Sequence, residues 1–470
     1  MTITEKLHDK KVKNISGQLK KFYRLKKKVK IYHGTTNSTR KQLFKNDQMI
    51  VISNLNTILE VNTKEKYIIT EPNVPMDVLV KETLRHGYVP PVVMEFPGIT
   101  VGGGIQGGAG ESSSFKYGGF HQTCLEYEIV LGNGEIILAS PQKNADLFWG
   151  TACSYGSLGV ITKIKLKIIP AKPYILLTYY PINSFKKAIK LLEEKITVHT
   201  NFIDGILFSK KSGTIMTGIF SDKKLLPIVS FSNATDDWFY THAETITKKH
   251  MIWQELVPIN DYLFRYNRGA FWVGRYIFTK THLPFNRITR FFLNPLMQTR
   301  ILYRFLHAIN ISQRQIVQDF CLPEKTVLPF MKFVDTTTAI YPLWLLPGNF
   351  SGNPDKLSPG YQHKGTTIDV GVWGKVNGDY NQLIKLNREL EKELHKRKGR
   401  KVLYAHQYYT EKEFWNIYDK KWYEKLRKKY SATDIFPNIY EKTYVSEKYT
   451  YSIPKGLLNI LNSPFKLPVS

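Results

Sequence analysis

Only three cysteines occur in the 470 residues: Cys124, Cys153 and Cys321. They lie far apart and none forms a C-x-x-C, so neither a disulfide framework nor a zinc knuckle is indicated and a reducing compartment is expected. No apolar run reaches the ~18 to 20 residues that a membrane span requires, and no signal peptide opens the chain. The expected location is intracellular, either cytoplasmic or peripheral on a membrane surface. Acidic residues are scarce beside basic ones: 39 Asp and Glu against 67 Lys and Arg leave a formal net charge of +28. Such an excess favours anionic partners, whether nucleic acid, acidic headgroups or a polyphosphate cofactor. The lysines are spread out, however. Lys163, Lys165 and Lys167 alternate with Ile164, Leu166 and Ile168, the pattern of a solvated strand face, and no nucleic-acid partner is expected.

Apolar residues are plentiful at 42%, with 13% aromatic, which is ample for burial. The length suggests two domains. Ile15, Leu19, Phe22 and Val29 follow helical spacing amid Lys20, Lys21, Arg24, Lys26, Lys27 and Lys28. This basic amphipathic helix, residues 1–27, suits an anionic membrane surface or, preferably, packing on the domain behind it. Strands are expected at "KVKIYH", "MIVIS", "TILEVN" and "YIITEP". A helix follows Pro75, with Met76, Leu79, Val80 and Leu84 on one face and Gly87 at its end. "LEYEIVLGNGEIILAS" reads as a hairpin with a two-residue Asn133-Gly134 turn. Short strands and helices interleave without a regular β-α-β repeat, which makes the class α+β.

The stretch "ITVGGGIQGGAGESSSFKYGG" contains G-x-G-x-x-G at Gly102, Gly104 and Gly107. A dinucleotide-binding Rossmann turn needs a strand before it, an apolar-faced helix after it and an acidic residue about 20 positions on. Here the motif follows "EFPGITV" and leads into polar, helix-poor sequence. The reading is a glycine loop whose backbone N–H groups cradle a pyrophosphate, with no Cβ to hold a flat ring away. Two further glycine turns lie at Gly34 and Gly156.

"HGTTNSTR", "TVGGGIQGGAGESSSFKYG", "DLFWG" and "GSLGVITKIKLKIIPAKPY" resemble the FAD-binding domain of the vanillyl-alcohol-oxidase superfamily, and most of all its Δ24-sterol reductase (seladin, or Diminuto) family. "PINDYLFRYNRGAFW" resembles that family's Y-x-x-R-x-x-R-x-x-F-W segment. "IVQDFCLP", "YPLWLLP", "TIDVGVWG" and "LYAHQYYTEKEFWNIYD" have counterparts in the same order. The resemblance implies a PCMH-type FAD-binding domain of two α+β subdomains over 28–172, a cap domain over 173–399 with an antiparallel sheet flanked by helices, and a segment 400–470 that returns towards the flavin and ends in a tail without a readable motif. "AIYPLWLLP" and "GAFWVGRYIF" are strand-like and aromatic, suited to an apolar substrate wall. "YNQLIKLNRELEKELHKRKG" reads as a helix ended by Gly399.

By the same resemblance, FAD would be held by Gly34, Thr35, Thr36, Asn37 and Ser38 and by Gly102, Gly103, Gly104, Gly107, Gly110, Glu111, Ser112 and Ser113. Gly156, Gly159 and Val160 would lie by the flavin or adenosine. His33 stands where many relatives carry Arg, and non-covalent FAD is expected. NADPH would donate hydride to the flavin, and the flavin would pass it to one carbon of a C=C bond while an acid protonates the other. Tyr404, His406, Tyr262 and Asp369 are candidates for that chemistry, with a core role as the alternative. Arg265, Arg268 and Trp272 are candidates for NADPH or substrate contact, and the two arginines could equally be structural ion-pair partners. The implied substrate is an apolar sterol or isoprenoid, with membrane-surface association possible.

Some features depart from the family pattern. Val273 stands where relatives often carry Glu, His406 falls where relatives vary, and the apolar anchoring segment of eukaryotic members is not seen. "AHQYY" lacks the lysine of sugar-oxidising members. Two alternatives stay open: an FAD-dependent alcohol or sugar oxidase or dehydrogenase, and a non-enzymatic basic protein that binds membranes or nucleic acid.

Overall fold

The computed structural model describes residues 2–349, 354–361 and 365–452. The rest of the expected C-terminal tail, from residue 453, lies outside the described residues. The chain opens with a helix, Ile3–Arg24, started by a Thr2/Glu5 capping box that satisfies N–H groups left orphaned at a helix start. Val12, Ile15 and Leu19 are buried, so the apolar stripe packs on the domain behind it. No helix among the described residues is long and apolar enough to cross a membrane.

That domain is built on a five-stranded antiparallel sheet in the order Ile58–Asn62, Tyr67–Thr70, Val160–Lys167, Cys124–Val130, Ile136–Ala139. Beside it, Lys30–Tyr32 pairs in parallel with Met49–Val51. Ile164, Leu166 and Ile168 are buried while Lys163 and Lys165 are half-buried and Lys167 exposed, as the alternation requires.

Three local expectations are corrected. The hairpin turn has three residues, not two. Leu131 N–H donates to Glu135 (2.8 Å) and Gly134 N–H to Leu131 (2.9 Å), with Gly134 left-handed at φ 82, the type I turn plus bulge. A Cβ at Gly134 would lie 2.6 Å from the Ser16 carbonyl, so the N-terminal helix sits directly on this turn. The glycine loop is a helix, Val101–Gly107, capped by Thr100 and ended by left-handed Gly108. Glycine disfavours helix by about 1 kcal/mol per residue, but tertiary fit wins: a Cβ at Gly102 would meet Pro72 at 2.8 Å and one at Gly104 would meet Met94 at 2.4 Å. Finally, "GAFWVGRYIF" is no strand. Gly269, Ala270 and Phe271 all take positive φ, Gly274 N–H closes back on Gly269 at 2.7 Å, and a helix Arg275–Thr281 follows.

The cap is an eight-stranded, fully antiparallel sheet in the order Trp253–Pro258, Tyr174–Ile182, Ser212–Ser221, Phe202–Ser209, Leu343–Gly348, Thr367–Lys375, Gln315–Pro323, Arg400–Lys401. Helices Phe185–Lys195, Glu324–Thr338 and Tyr380–Lys396 cover one face over Leu207, Phe320, Leu322, Leu345 and Val370. In the last helix Leu383, Leu390 and Leu394 are buried and Leu386 half-buried. Side chains alternate across a strand, so Asp319, Cys321, Trp344, Leu346, Asp369 and Trp373 share the opposite face.

Arg400–Lys401 still belongs to the cap sheet, so the expected boundary at 399/400 moves past it; from Val402 the chain crosses back to the first domain. Arg40 donates to the carbonyls of Leu403 and Ala405. Tyr423 donates to Ser157 Oγ at 2.7 Å and Arg427 to the Ser157 carbonyl at 2.5 Å. The architecture is α+β, with a first domain built on the five-stranded sheet and a sheet-and-helix cap facing each other.

Candidate active site

A cleft lies between the two sheets. It is open to solvent on one side and runs from the bend at Thr35–Ser38 to the far wall at Asp369 and Trp373. Thr35, Thr36, Asn37 and Ser38 line it, as do Gly102, Gly103, Gly107 and Gly110, then Gly156 and Gly159. The three glycine-containing bends therefore meet at one place.

Their hydrogen bonding separates them. The backbone N–H groups of Thr35, Thr36 and Asn37 donate to nothing among the described residues, an arrangement suited to an anionic oxygen. Gly102 N–H instead donates to Pro72 (2.7 Å), Gly103 to Thr100 Oγ1 (3.1 Å) and Gly104 to Thr100 (2.9 Å). The expectation that these glycines offer free donors is thus corrected, because the helix and its cap consume them. What the second segment offers is room: a Cβ at Gly107 would meet nothing within 4 Å. Arg40 and Lys442 add positive charge to the lining. Burial, reinforced by Lys30, Arg427 and Arg40, lowers Lys442 to about 7, so an incoming anion would restore its full charge.

Six expected cofactor residues do not line the cleft. Gly34 makes the turn before it, at φ 86, and Gly104 packs on Met94. Val160 pairs with Val130 in the sheet. Glu111 accepts from Ser112 and from Arg265, Ser112 bonds Tyr262 at 3.2 Å, and Ser113 donates to the Pro91 carbonyl at 2.8 Å.

Arg265 is also withdrawn from the lining. Its guanidinium is buried and donates to Glu111 at 3.0 Å and Asp204 at 2.8 Å. Arg268 is buried against Asn294 and the carbonyls of Asp236, Phe231 and Ala234. The geometry is that of structural partners, since a fork already filled with acceptors has little to offer a phosphate. Trp272 donates to the Trp373 carbonyl at 2.8 Å. Tyr262 is buried beneath the site, and His406 lies behind the wall with Nδ1 on Thr39 at 3.1 Å. Burial, with Arg40 and Lys401 beside it, drives His406 far below its usual range, so it stays neutral and is not a general acid.

Two of the catalytic candidates, Tyr404 and Asp369, do line the cleft. With them stand residues not singled out from sequence: Glu95, Asp319, Tyr303, Trp344 and Trp373. Burial raises Glu95 to about 8 and Asp319 to about 6, against the hydrogen bond from Trp373 that lowers it. Burial and then Asp319 raise Asp369 well above the carboxylate range. The signal for Glu95 is in the sequence: it is a lone acid in the apolar run "PPVVMEFPG". Asp319 lies inside a segment recognised for its order, not for its acid. The cleft thus joins an anion cradle to an aromatic wall carrying acids whose burial favours the protonated form.

Residues 10–140 match the FAD binding domain family. Fold, cleft and match together define an FAD-linked oxidoreductase. The chain is 30% identical to the Delta(24)-sterol reductase of Homo sapiens over 450 residues, covering 93% of this chain and 86% of the relative. It is 29% identical to the Delta(24)-sterol reductase homolog of Caenorhabditis elegans, over 93% and 87% of the two chains, and 28% identical to the Delta(24)-sterol reductase of Arabidopsis thaliana, over 83% and 75%. The chain belongs to the Δ24-sterol reductase family.

Proposed function

We propose that this enzyme uses non-covalent FAD and NADPH to reduce a C=C bond in a sterol or a related isoprenoid lipid. Residues 28–172 would hold the flavin, with Thr35, Thr36, Asn37 and Ser38 on the diphosphate, Arg40 and Lys442 offsetting its charge, and Gly107, Gly110, Gly156 and Gly159 leaving room along it. Bound FAD would supply hydride transfer between donor and substrate. Residues 173–399 would hold the substrate. The observation that carries the reading is the cap wall, where Trp344, Trp373, Leu346 and Tyr303 face the same cleft as Asp319 and Asp369. An apolar alkene needs such a surface and an acid, whereas alcohol oxidation needs a base. His33 lines the cleft as a neutral imidazole, lowered by burial to about 4; non-covalent attachment rests on its standing at the arginine position of the family.

The test is an anaerobic titration of the purified yellow protein. NADPH should bleach the flavin, a sterol with a side-chain double bond should restore the colour, and acid denaturation should release the chromophore. No bleaching by NADPH overturns the donor, and no recovery with the alkene overturns the substrate. Peroxide formed from a polyol without nicotinamide would move the enzyme to the oxidases.

A further inference from the structure

We infer that Asp369 is the proton donor to the alkene and that Asp319, on the neighbouring strand, is the residue that positions it and stabilises the charge its proton creates. The inference rests on the C=C reductase reading and deepens it. Cys321 pairs with Asp369, and Asp319 with Gly371, across the antiparallel strands Gln315–Pro323 and Thr367–Lys375. The two acids are therefore diagonal neighbours on one face, with Cα atoms about 7–8 Å apart, and both line the cleft.

Their environments differ. Asp319 is held: its Oδ1 accepts from Trp373 Nε1 at 2.9 Å. Asp369 Oδ1 is buried without any partner, free to turn towards a bound molecule. Around the pair the cleft is lined by Glu95, Tyr303, Tyr404, Cys321, Trp344 and Trp373, none of them a cation. Arg400, opposite Cys321 on the next strand, is spent on the carbonyls of Lys356, Ser358 and Ile417, and Arg265, whose charge reaches Glu95, is committed to Glu111 and Asp204. Two carboxylates in such a setting cannot both ionise, so a proton is retained at neutral pH, and Asp369 is the group pushed higher.

The step balances. The Asp369 O–H bond breaks, its proton forms a new C–H bond at one alkene carbon, and the π electrons are consumed. Positive charge develops on the other carbon. It is met by the Asp319 carboxylate and the faces of Trp344 and Trp373, the arrangement that favours a cation over an aromatic wall. A hydride, for which the reduced cofactor is the source, then closes that carbon. Water returns a proton to Asp369 once the product leaves. A buried pair of carboxylates exists only while the cationic centre lies against it.

The experiment uses the full-length, FAD-loaded protein with Asp369→Asn, Asp369→Glu and Asp319→Asn, each checked for flavin content and melting temperature. Reduction of the flavin by NADPH should stay within about twofold of wild type. Its reoxidation by the unsaturated sterol should slow by about 10²–10⁴-fold in Asp369→Asn, the range of a general acid, and recover in part in Asp369→Glu. Asp319→Asn should slow reoxidation less and shift its pH profile. Independently of turnover, difference infrared spectra should show a protonated carboxyl band at neutral pH in wild type, with or without FAD, that Asp369→Asn removes. A variant Asp369→Asn that reoxidises at the wild-type rate, or a wild type without the band, overturns the inference while the reductase reading stands. A wild type whose reduced flavin ignores the alkene overturns that reading, and with it the proton's destination, whatever the infrared shows.

Discussion

Ser38 donates its hydroxyl to the carbonyl of Tyr404 at 2.7 Å, so the segment proposed to hold the diphosphate and the segment that carries a tyrosine of the opposite wall are one hydrogen bond apart. Two residues on, Arg40 clamps the carbonyls on either side, those of Leu403 and Ala405. Both bonds leave one nitrogen, Nη1, held at the tip of a planar group that lysine lacks. Arg40→Lys should therefore loosen both walls together, with lower flavin retention after gel filtration and a loss of stability of roughly 1.5–3 kcal/mol, the worth of a hydrogen bond to a charged group. Unchanged melting with intact flavin content would contradict the clamp.

Arg265 lies inside the cap and joins Glu111 of the first domain to Asp204 of the cap sheet. Asp204 also accepts from Tyr266 at 2.7 Å and Trp344 at 3.1 Å. Removing the cation strands two buried carboxylates, which costs about 3–5 kcal/mol. Arg265→Met should lower the denaturant midpoint accordingly, and adding Asp204→Asn should return part of the loss. A variant that melts normally but binds NADPH poorly would restore the phosphate-binding role that the geometry removes.

Gly104 and Gly107 are one turn apart and should respond oppositely. A Cβ at Gly104 would lie 2.4 Å from Met94 Cε and 3.1 Å from Phe120 Cδ1, so Gly104→Leu overpacks the core at about 1–3 kcal/mol. At Gly107 the same Cβ points into the open cleft. Gly107→Leu should keep its melting temperature without flavin and lose most of its bound FAD. Absorbance ratios and apo-protein melting curves separate the two.

What was legible in the sequence follows the range of each cause. Lys163 to Ile168 reads correctly because solvent on one face and core on the other impose a two-residue period on one short strand. The order of family-like segments located the cleft. Val101–Gly107 reads as a loop because three consecutive glycines have poor helix propensity, and the reason it is helical is elsewhere, at Pro72 and Met94. "GAFWVGRYIF" has the composition of a strand, yet Gly269 and Gly274 let the backbone fold on itself. The acid pair is a property of strand register: nothing local to "IVQDFCLP" or "TIDVGVWG" states that Asp319 and Asp369 are neighbours. For Arg265 the sequence left both roles open, and its partners, 154 and 61 residues away, decided between them.

The N-terminal helix is fixed by a titratable latch, so its hold should depend on pH. His8 is buried and bridges Glu71 at 2.9 Å and Glu128 at 3.0 Å. Burial alone would lower it, but the hydrogen bonds and charges of Glu128 and Glu71 outweigh burial and raise it to about 9. A raised histidine contributes its full stability below its ordinary value of 6.5 and loses it as pH climbs through about 9. Burial would raise Glu128, yet His8, Lys163 and Thr162 bring it down to about 2. That contribution is complete above the ordinary 4.5 and fades as pH falls towards 2. The latch is strongest between these limits, near pH 4.5 to 6.5. Limited trypsin cleavage within the lysine-rich helix should accelerate between pH 7 and pH 9.5, relative to cleavage of a small peptide substrate by the same enzyme. In His8→Gln, which keeps the shape but cannot titrate, the starting rate should be higher and this rise should vanish. A wild type whose relative cleavage stays flat over that interval would mean that Val12, Ile15 and Leu19 hold the helix by themselves and that deprotonating His8 costs the two glutamates no contact that matters.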